Sequence, residues 1–473
     1  MTATGADAST QDAAAHDATA QDTAARDIED LLADLQLERS GLSGRGPDPA
    51  AGRAARLSGG IARLGLSRFV AELLGDGPPV PATVAVLDLE ADEAGRRASY
   101  RIWRAEARSA AEEVWRWLTE RRRTAGDRPW WCGESALPLP ADSVRRLAAV
   151  TAPVTDLAPI AESWGRTAGL GDGVEEYNWR WLMLGKGLLG PSAGAALPGL
   201  DTLLGRLVEQ ARGHGLLPAA HRVGLIRRPN TPSMVMPVRL PGHSLLSLPT
   251  AVTPVTVQYL QHEIAHLAEH AARPAAAPLA ARWSFDPLRS EGWALLLEHL
   301  VTTPEPLVRL GLDEGSAAAV AGFLAEEERF SRGLMAADLA LEAELGGCRG
   351  AAGALEAAAA VIGRTGLRWA PELLLMRQPR MLHWRSYLAG YAWRDTVLAG
   401  LTSRFGAGWA GRDDAWAALL RALASTGSAG AFLRSLTAPP NSPTPDPTRS
   451  PDDRRPEHQG TTGPVGGSTP ARP

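Results

Sequence analysis

A mainly α-helical fold with a small β-element is what this sequence predicts, and three observations carry the prediction. Apolar residues recur at the helical period along most of the chain. One cluster of short apolar or β-branched runs, broken by Pro and Gly, stands between residues 222 and 248. Both ends, residues 1–26 and 438–473, lack any apolar pattern and are expected to be disordered tails, since they cannot bury enough surface to offset chain entropy.

Taken in order, Ile28, Leu31, Leu32 and Leu35 predict a first amphipathic helix. Tyr100, Trp103, Ala107, Ala110, Val114, Trp117 and Leu118 form one broad stripe over residues 96–123. A stripe of this kind is a packing face rather than a cofactor box. Further helices are expected over 201–212, 317–344, 352–362, 381–401 and 414–424, and strands over 222–226, 234–240 and 244–248. The Gly- and Pro-rich stretch 185–199 suggests a joint. The expected organisation is therefore a tail (1–26), an N-terminal helical region (27–225), a second region carrying the motif described next (226–437) and a Pro-rich tail (438–473).

The chain has 473 residues, 45% apolar and 22% charged, with a formal net charge of −4, which is ordinary globular composition. No basic block stands out, so nucleic acid is not an expected partner. No apolar run reaches the ~18 residues of a membrane span. The opening MTATGADASTQDAAAHD has neither a basic nor an apolar segment of a secretory leader, so a cytoplasmic location is expected. Cys132 and Cys348 are expected to be separate reduced thiols.

The chemistry concentrates in Thr253-Pro254-Val-Thr-Val-Gln-Tyr-Leu-Gln-His262-Glu263-Ile-Ala-His266. Thr253 reads as a helix N-cap and Pro254 as its first residue. Residues four apart on a helix share a face about 6 Å apart along the axis. His262 and His266 can thus offer two imidazoles to one tetrahedral ion, with Zn²⁺ the expected cofactor. Glu263, one step round the helix, can take a proton from attacking water. The bland alternative is a helix with two packed histidines.

A metal centre of this kind needs a third protein ligand. A nearby downstream histidine reached after a chain-turning Gly is ruled out by the continuation LAEHAARP. A glutamate from a second helix is available in Asp286-Pro287-Leu-Arg-Ser290-Glu291-Gly292-Trp293, where Asp286 and Pro287 signal a helix start. Glu291 is the candidate ligand. Glu298, two turns on, can accept the outer N–H of a ligand imidazole or be an ordinary surface acid.

HEIAH followed by SEGWALLLEHL resembles the gluzincin metallopeptidases, most of all a bacterial family of helical proteins whose signature reads EGWALY before an acidic residue. The thimet oligopeptidase and Taq carboxypeptidase groups are more distant members of the same architectural class. The run from Arg332 through Asp338 to Leu341 and the Tyr387-Leu-Ala-Gly390 segment also resemble that family, so the likeness spans about residues 234–401. The resemblance implies a multi-helical gluzincin-like fold, His262, His266 and Glu291 as metal ligands, Glu263 as base and Tyr387 pointing into the site. It implies hydrolysis of a peptide. Leu296 stands where the signature has Tyr, and the first motif lacks a Pro-Gly variant common in that family.

His383, Tyr387 and Tyr391 share one helical face, and a phenol or imidazolium there can stabilise an oxyanion. Tyr387 and His383 are the candidates. Arg385 and Arg394 flank that face and could bind a carboxylate or pair with acids. His270 could be an alternative ligand, face the cleft or cap its helix; Asp338 could orient a ligand histidine or pair with Arg332. Strand 244–248 could offer an open edge to an extended peptide. The expected function is zinc-dependent peptide hydrolysis. Hydrolysis of non-peptide amides or esters, and a non-catalytic helical protein with structural zinc or none, are the alternatives.

Overall fold

The computed structural model describes residues 92–125, 155–170, 197–227, 233–249, 252–277, 282–283, 285–378 and 384–424, with Asn178, Leu182, Leu188 and Phe432. The helix expected around Ile28–Leu35 and both terminal tails lie outside the described residues.

The described elements begin with helices α1 (Glu93–Ala125), α2 (Ala158–Thr167) and α3 (Leu200–Gly213). Strands β1 (Arg222–Arg227), β2 (Met234–Arg239) and β3 (His243–Leu248) follow. Then come α4 (Pro254–Ala271), α5 (Pro287–Glu298), α6 (Pro304–Arg309), α7 (Glu314–Leu345), α8 (Gly350–Thr365), α9 (Pro371–Arg377), α10 (Trp384–Phe405) and α11 (Asp413–Ala424). The mainly helical fold with a small β-element beside the histidine helix is the one expected. Helices α2, α6 and α9 were not predicted. The last two are of 6 and 7 residues, too short to display a period. Strand β1 straddles residues 225 and 226, where the join between the two regions was expected. All these elements belong to one compact unit.

The Trp stripe of α1 is a packing face: Trp103, Ala107 and Val114 are at most 2% exposed, and the helix lies against α8 and α9. The sheet order is β1-β3-β2, with β3 parallel to β1 and antiparallel to β2. Strand β3 is therefore the central strand, and the open edges of the sheet belong instead to β1 and β2. Its near-continuous burial from Ser244 to Leu248 reflects that central place.

Local sequence sets the two helices that matter most. Thr253 caps α4 in a reciprocal capping box with Thr256, and Pro254 occupies its first turn. Asp286 caps α5 by accepting the amides of Leu288 and Arg289. Helix α4 packs on α5, α5 on α10, and α10 on α7, while β2 and β3 lie against α4. The α5–α10 crossing is very close. A Cβ on Gly390 would sit 3.0 Å from the Gly292 amide nitrogen, and a Cβ on Gly292 would sit 2.4 Å from the Trp393 ring. Glycine at both positions lets the backbone bearing Glu291 approach the helix bearing Tyr387.

Candidate metal centre

Helix α4 is buried on nearly every side; Val255, Val257, Leu260, Ala265, Leu267 and Ala268 are at most 1% exposed. Polar side chains on such a helix need partners inside the protein. Gln258, His262, His266 and His270, spaced by four, form a polar stripe along it, and other elements meet each of them. The His262 Nδ1 lies 2.8 Å from Glu298 Oε2, and Gln258 Nε2 donates to Glu298 Oε1 at 2.5 Å. His266 Nδ1 lies 3.2 Å from Ser290 Oγ. His270 Nδ1 pairs with Ser244 Oγ at 2.9 Å and its ring meets Phe285 edge-on. His270 thus turns onto β3 and is not one of the convergent groups. Trp293, fully buried, donates to the carbonyl of Ala265 at 2.9 Å and locks α5 to α4 beside His266.

The inner nitrogens converge. His262 and His266 Nε2 are 3.2 Å apart, and Glu291 Oε2 is 3.5 Å from the first and 3.8 Å from the second. The three candidate ligand atoms all lie within 4.8 Å of one another. A carboxylate can only accept, so His262 Nδ1 donates its proton to Glu298, and Nε2 is the nitrogen that faces Glu291 and His266. Burial opposes a charge on His262, but hydrogen bonds to Glu291 and Glu298 outweigh it and hold its pKa well above the ordinary histidine value. Two imidazoles and one carboxylate converging in this way fit a divalent cation.

Glu263 is 8% exposed, and its Oε2 accepts the Val235 backbone N–H at 2.6 Å. The edge strand β2 thus fixes the carboxylate. Burial pushes its pKa up, while His262 and His266 pull it down. The Tyr387 hydroxyl lies 3.4 Å from His262 Nε2, with its ring parallel to the imidazole at 5.7 Å between centroids. Burial, with Glu291, Glu263 and Glu298 nearby, holds the phenol pKa well above its usual value, so the hydroxyl keeps its proton as a donor.

Other candidates fall elsewhere. His383 lies outside the described residues, as does the side chain of Arg385. Tyr391, 2% exposed, packs beneath the guanidinium groups of Arg332 and Arg394. Arg394 is committed to Glu328 and Asp395, at 2.7 Å each, which makes it a structural ion pair. Asp338 pairs with Arg377 at 2.8 Å, and Arg332 with Asp395 at 3.0 Å. Residues six apart on a helix do not share a face, so Arg332 and Asp338 point apart. Sequence reasoning missed Gln258, Ser290, Glu269, Trp293 and the Val235 amide. The polar stripe on an otherwise apolar helix was the available signal for Gln258.

Behind Glu298 lies a further acid. Glu327 is 2% exposed, accepts from Ser331 Oγ at 2.6 Å, and is bridged to Glu298 through Gln258. Burial raises its pKa from 4.5 to about 7, with Glu298 and Glu328 adding to the rise against the Ser331 and Gln258 hydrogen bonds. Its protonated form is favoured by folding, so this stability is fully present below the unfolded pKa and is lost as pH rises through the folded one. The loss across that window is on the order of 3 kcal/mol at ~1.4 kcal/mol per pKa unit. Glu327→Gln is expected to flatten the fall in urea-unfolding stability between about pH 5 and pH 8, measured on metal-free protein. An unchanged pH profile would count against a protonated Glu327.

No family model matches the chain, and no curated protein matches it. Solved structures do. An M32 carboxypeptidase from Deinococcus radiodurans R1 aligns with a TM-score of 0.50 at 14% identity, over 88% of this chain and 94% of that chain. A carboxypeptidase from Pyrococcus furiosus gives 0.49 at 12% identity, over 88% and 97%. Metallocarboxypeptidase 1 from Trypanosoma cruzi gives 0.39 at 12% identity, over 88% and 96%. At such identities the first of these likenesses speaks for the fold alone: the chain folds like that M32 carboxypeptidase.

Proposed function

We propose that the chain is a zinc-dependent peptidase, with His262, His266 and Glu291 holding the metal and Glu263 acting as general base. The observation that carries this reading is the convergence of two imidazole Nε2 atoms and one carboxylate oxygen beside a carboxylate fixed by a backbone amide. The likeness of the fold to that of an M32 carboxypeptidase supports peptides as the substrate class. The EGWALY-like segment around Glu291 supports the same ligand set.

Zinc held there would polarise a substrate carbonyl and lower the pKa of an attacking water towards about 7. Glu263 takes the proton of that water as it attacks and passes it to the leaving amine. Its Val235 tether keeps one oxygen occupied and leaves the other for this transfer. Tyr387, protonated and stacked on His262, donates to the oxygen on which negative charge develops. The edge of β2 lies alongside. Val235 N–H is taken by Glu263 and Pro237 has no N–H, so a peptide docking near these residues would have to use its own N–H groups against the β2 carbonyls.

The test is hydrolysis of a mixed peptide set, with free and amidated C-termini, by protein stripped of metal and then restored with one equivalent of zinc. Zinc-dependent peptide cleavage is the expected result. Turnover of small acyl amides or esters with no peptide cleavage would replace the peptidase reading, and protein that binds no zinc would remove it.

A further inference from the structure

The two histidines must present the same inner nitrogen to one cation, yet they are supported in unlike ways. His262 meets a carboxylate directly. His266 meets a hydroxyl, that of Ser290, and the hydroxyl in turn meets a buried carboxylate: Ser290 Oγ donates to Glu269 Oε2 at 2.6 Å. Glu269 is 1% exposed and receives Arg273 Nη2 at 2.9 Å, so its charge is balanced within the protein.

A hydroxyl has one hydrogen to give, and an ionised carboxylate can only accept. The 2.6 Å separation is that of a charge-assisted O–H···O⁻ bond, so the Ser290 proton points at Glu269. That leaves an oxygen lone pair facing His266 Nδ1, which must therefore carry the ring proton. The consequence is a bare Nε2 turned towards His262 and Glu291. Reversing any link in the series reverses the next. The Ser290 side chain is not needed to cap its own helix, because Asp286 does that. Ser290 also directly precedes Glu291, so the first turns of α5 supply both one candidate ligand and the group that orients another across on α4.

We propose that Ser290 is a positioning residue of the metal centre, relaying the buried charge of Glu269 to His266 and thereby fixing the tautomer and direction in which that imidazole meets the ion. The proposal rests on the metal-site reading given above.

The experiment measures zinc affinity by competition with a chromophoric chelator, together with thermal melting of the metal-free proteins, for the wild type, Ser290→Ala, Ser290→Thr and Glu269→Gln. Loss of an outer partner of a ligand histidine costs about 10- to 100-fold in metal affinity. Ser290→Ala is expected to show that loss with little change in metal-free melting, and Ser290→Thr, which keeps the hydroxyl, to restore most of it. Alanine binding zinc as tightly as the wild type overturns the proposal, and so does threonine as weak as alanine, because packing would then explain the effect. If Ser290→Ala fails to fold, Glu269→Gln decides. It keeps the side-chain shape but removes the charge that draws the hydroxyl proton, and an unchanged zinc affinity there overturns the relay. Wild-type protein that takes up no zinc is a different failure, that of the metal-site reading itself.

Discussion

Glu263→Gln is expected to retain zinc and lose peptide turnover by about 10²–10⁴-fold, the range that a positioned general base contributes. The substitution is close to isosteric. A carboxamide oxygen can still accept the Val235 N–H that holds Glu263 Oε2 at 2.6 Å, so the β2–α4 contact survives. What disappears is the second oxygen's ability to take a proton from water and return it to the leaving amine. The metal ligands proposed here are untouched, so zinc content by elemental analysis should match the wild type. Peptide turnover measured on the same zinc-loaded preparation separates the two roles. A variant with wild-type turnover would remove Glu263 from the chemistry, and a variant that loses zinc would mean that Glu263 helps to hold the ion.

Much of this site was legible because its instructions are local. Thr253-Pro254 and Asp286-Pro287 are short-range signals that act on the next few amides, and both start their helices where the sequence places them. The four-residue spacing of His262 and His266 is a property of one helix. Their meeting with Glu291 is not, and it depends on the α5–α10 crossing at Gly292 and Gly390 and on the Trp293 hydrogen bond to Ala265. Those contacts join residues far apart in sequence, and no period announces them.

The failures have the same physical origin. Strand β3 was expected to be an open edge because it is the last strand before α4, but pairing order is set by which surfaces meet, and β3 takes partners on both sides. Asp338 was offered Arg332 from its own helix, whereas its partner Arg377 comes from α9. Ser290 carried no signal at all, because a serine in the first turn of a helix is ordinary; only its two side-chain partners on α4 distinguish it.

Tyr387→Phe tests the other half of the proposed chemistry, and the expected loss is in kcat rather than KM. The phenol stands 3.4 Å from His262 Nε2 with its ring parallel to the imidazole, so the phenylalanine ring can keep the stacking and remove only the hydroxyl. Burial and the carboxylates of Glu291, Glu263 and Glu298 keep that hydroxyl protonated, which suits it to donate to a developing negative charge. A donor whose bond strengthens in the transition state lowers kcat and kcat/KM together when it is lost, by about 10²–10³-fold for a well-aimed one. A hydroxyl that only helped to bind the peptide would instead raise KM with kcat unchanged. Steady-state kinetics on one peptide, for two zinc-loaded proteins of equal metal content, distinguishes these outcomes. Unchanged kcat in the phenylalanine variant would leave the oxyanion to the metal alone and make Tyr387 a residue that only packs on His262.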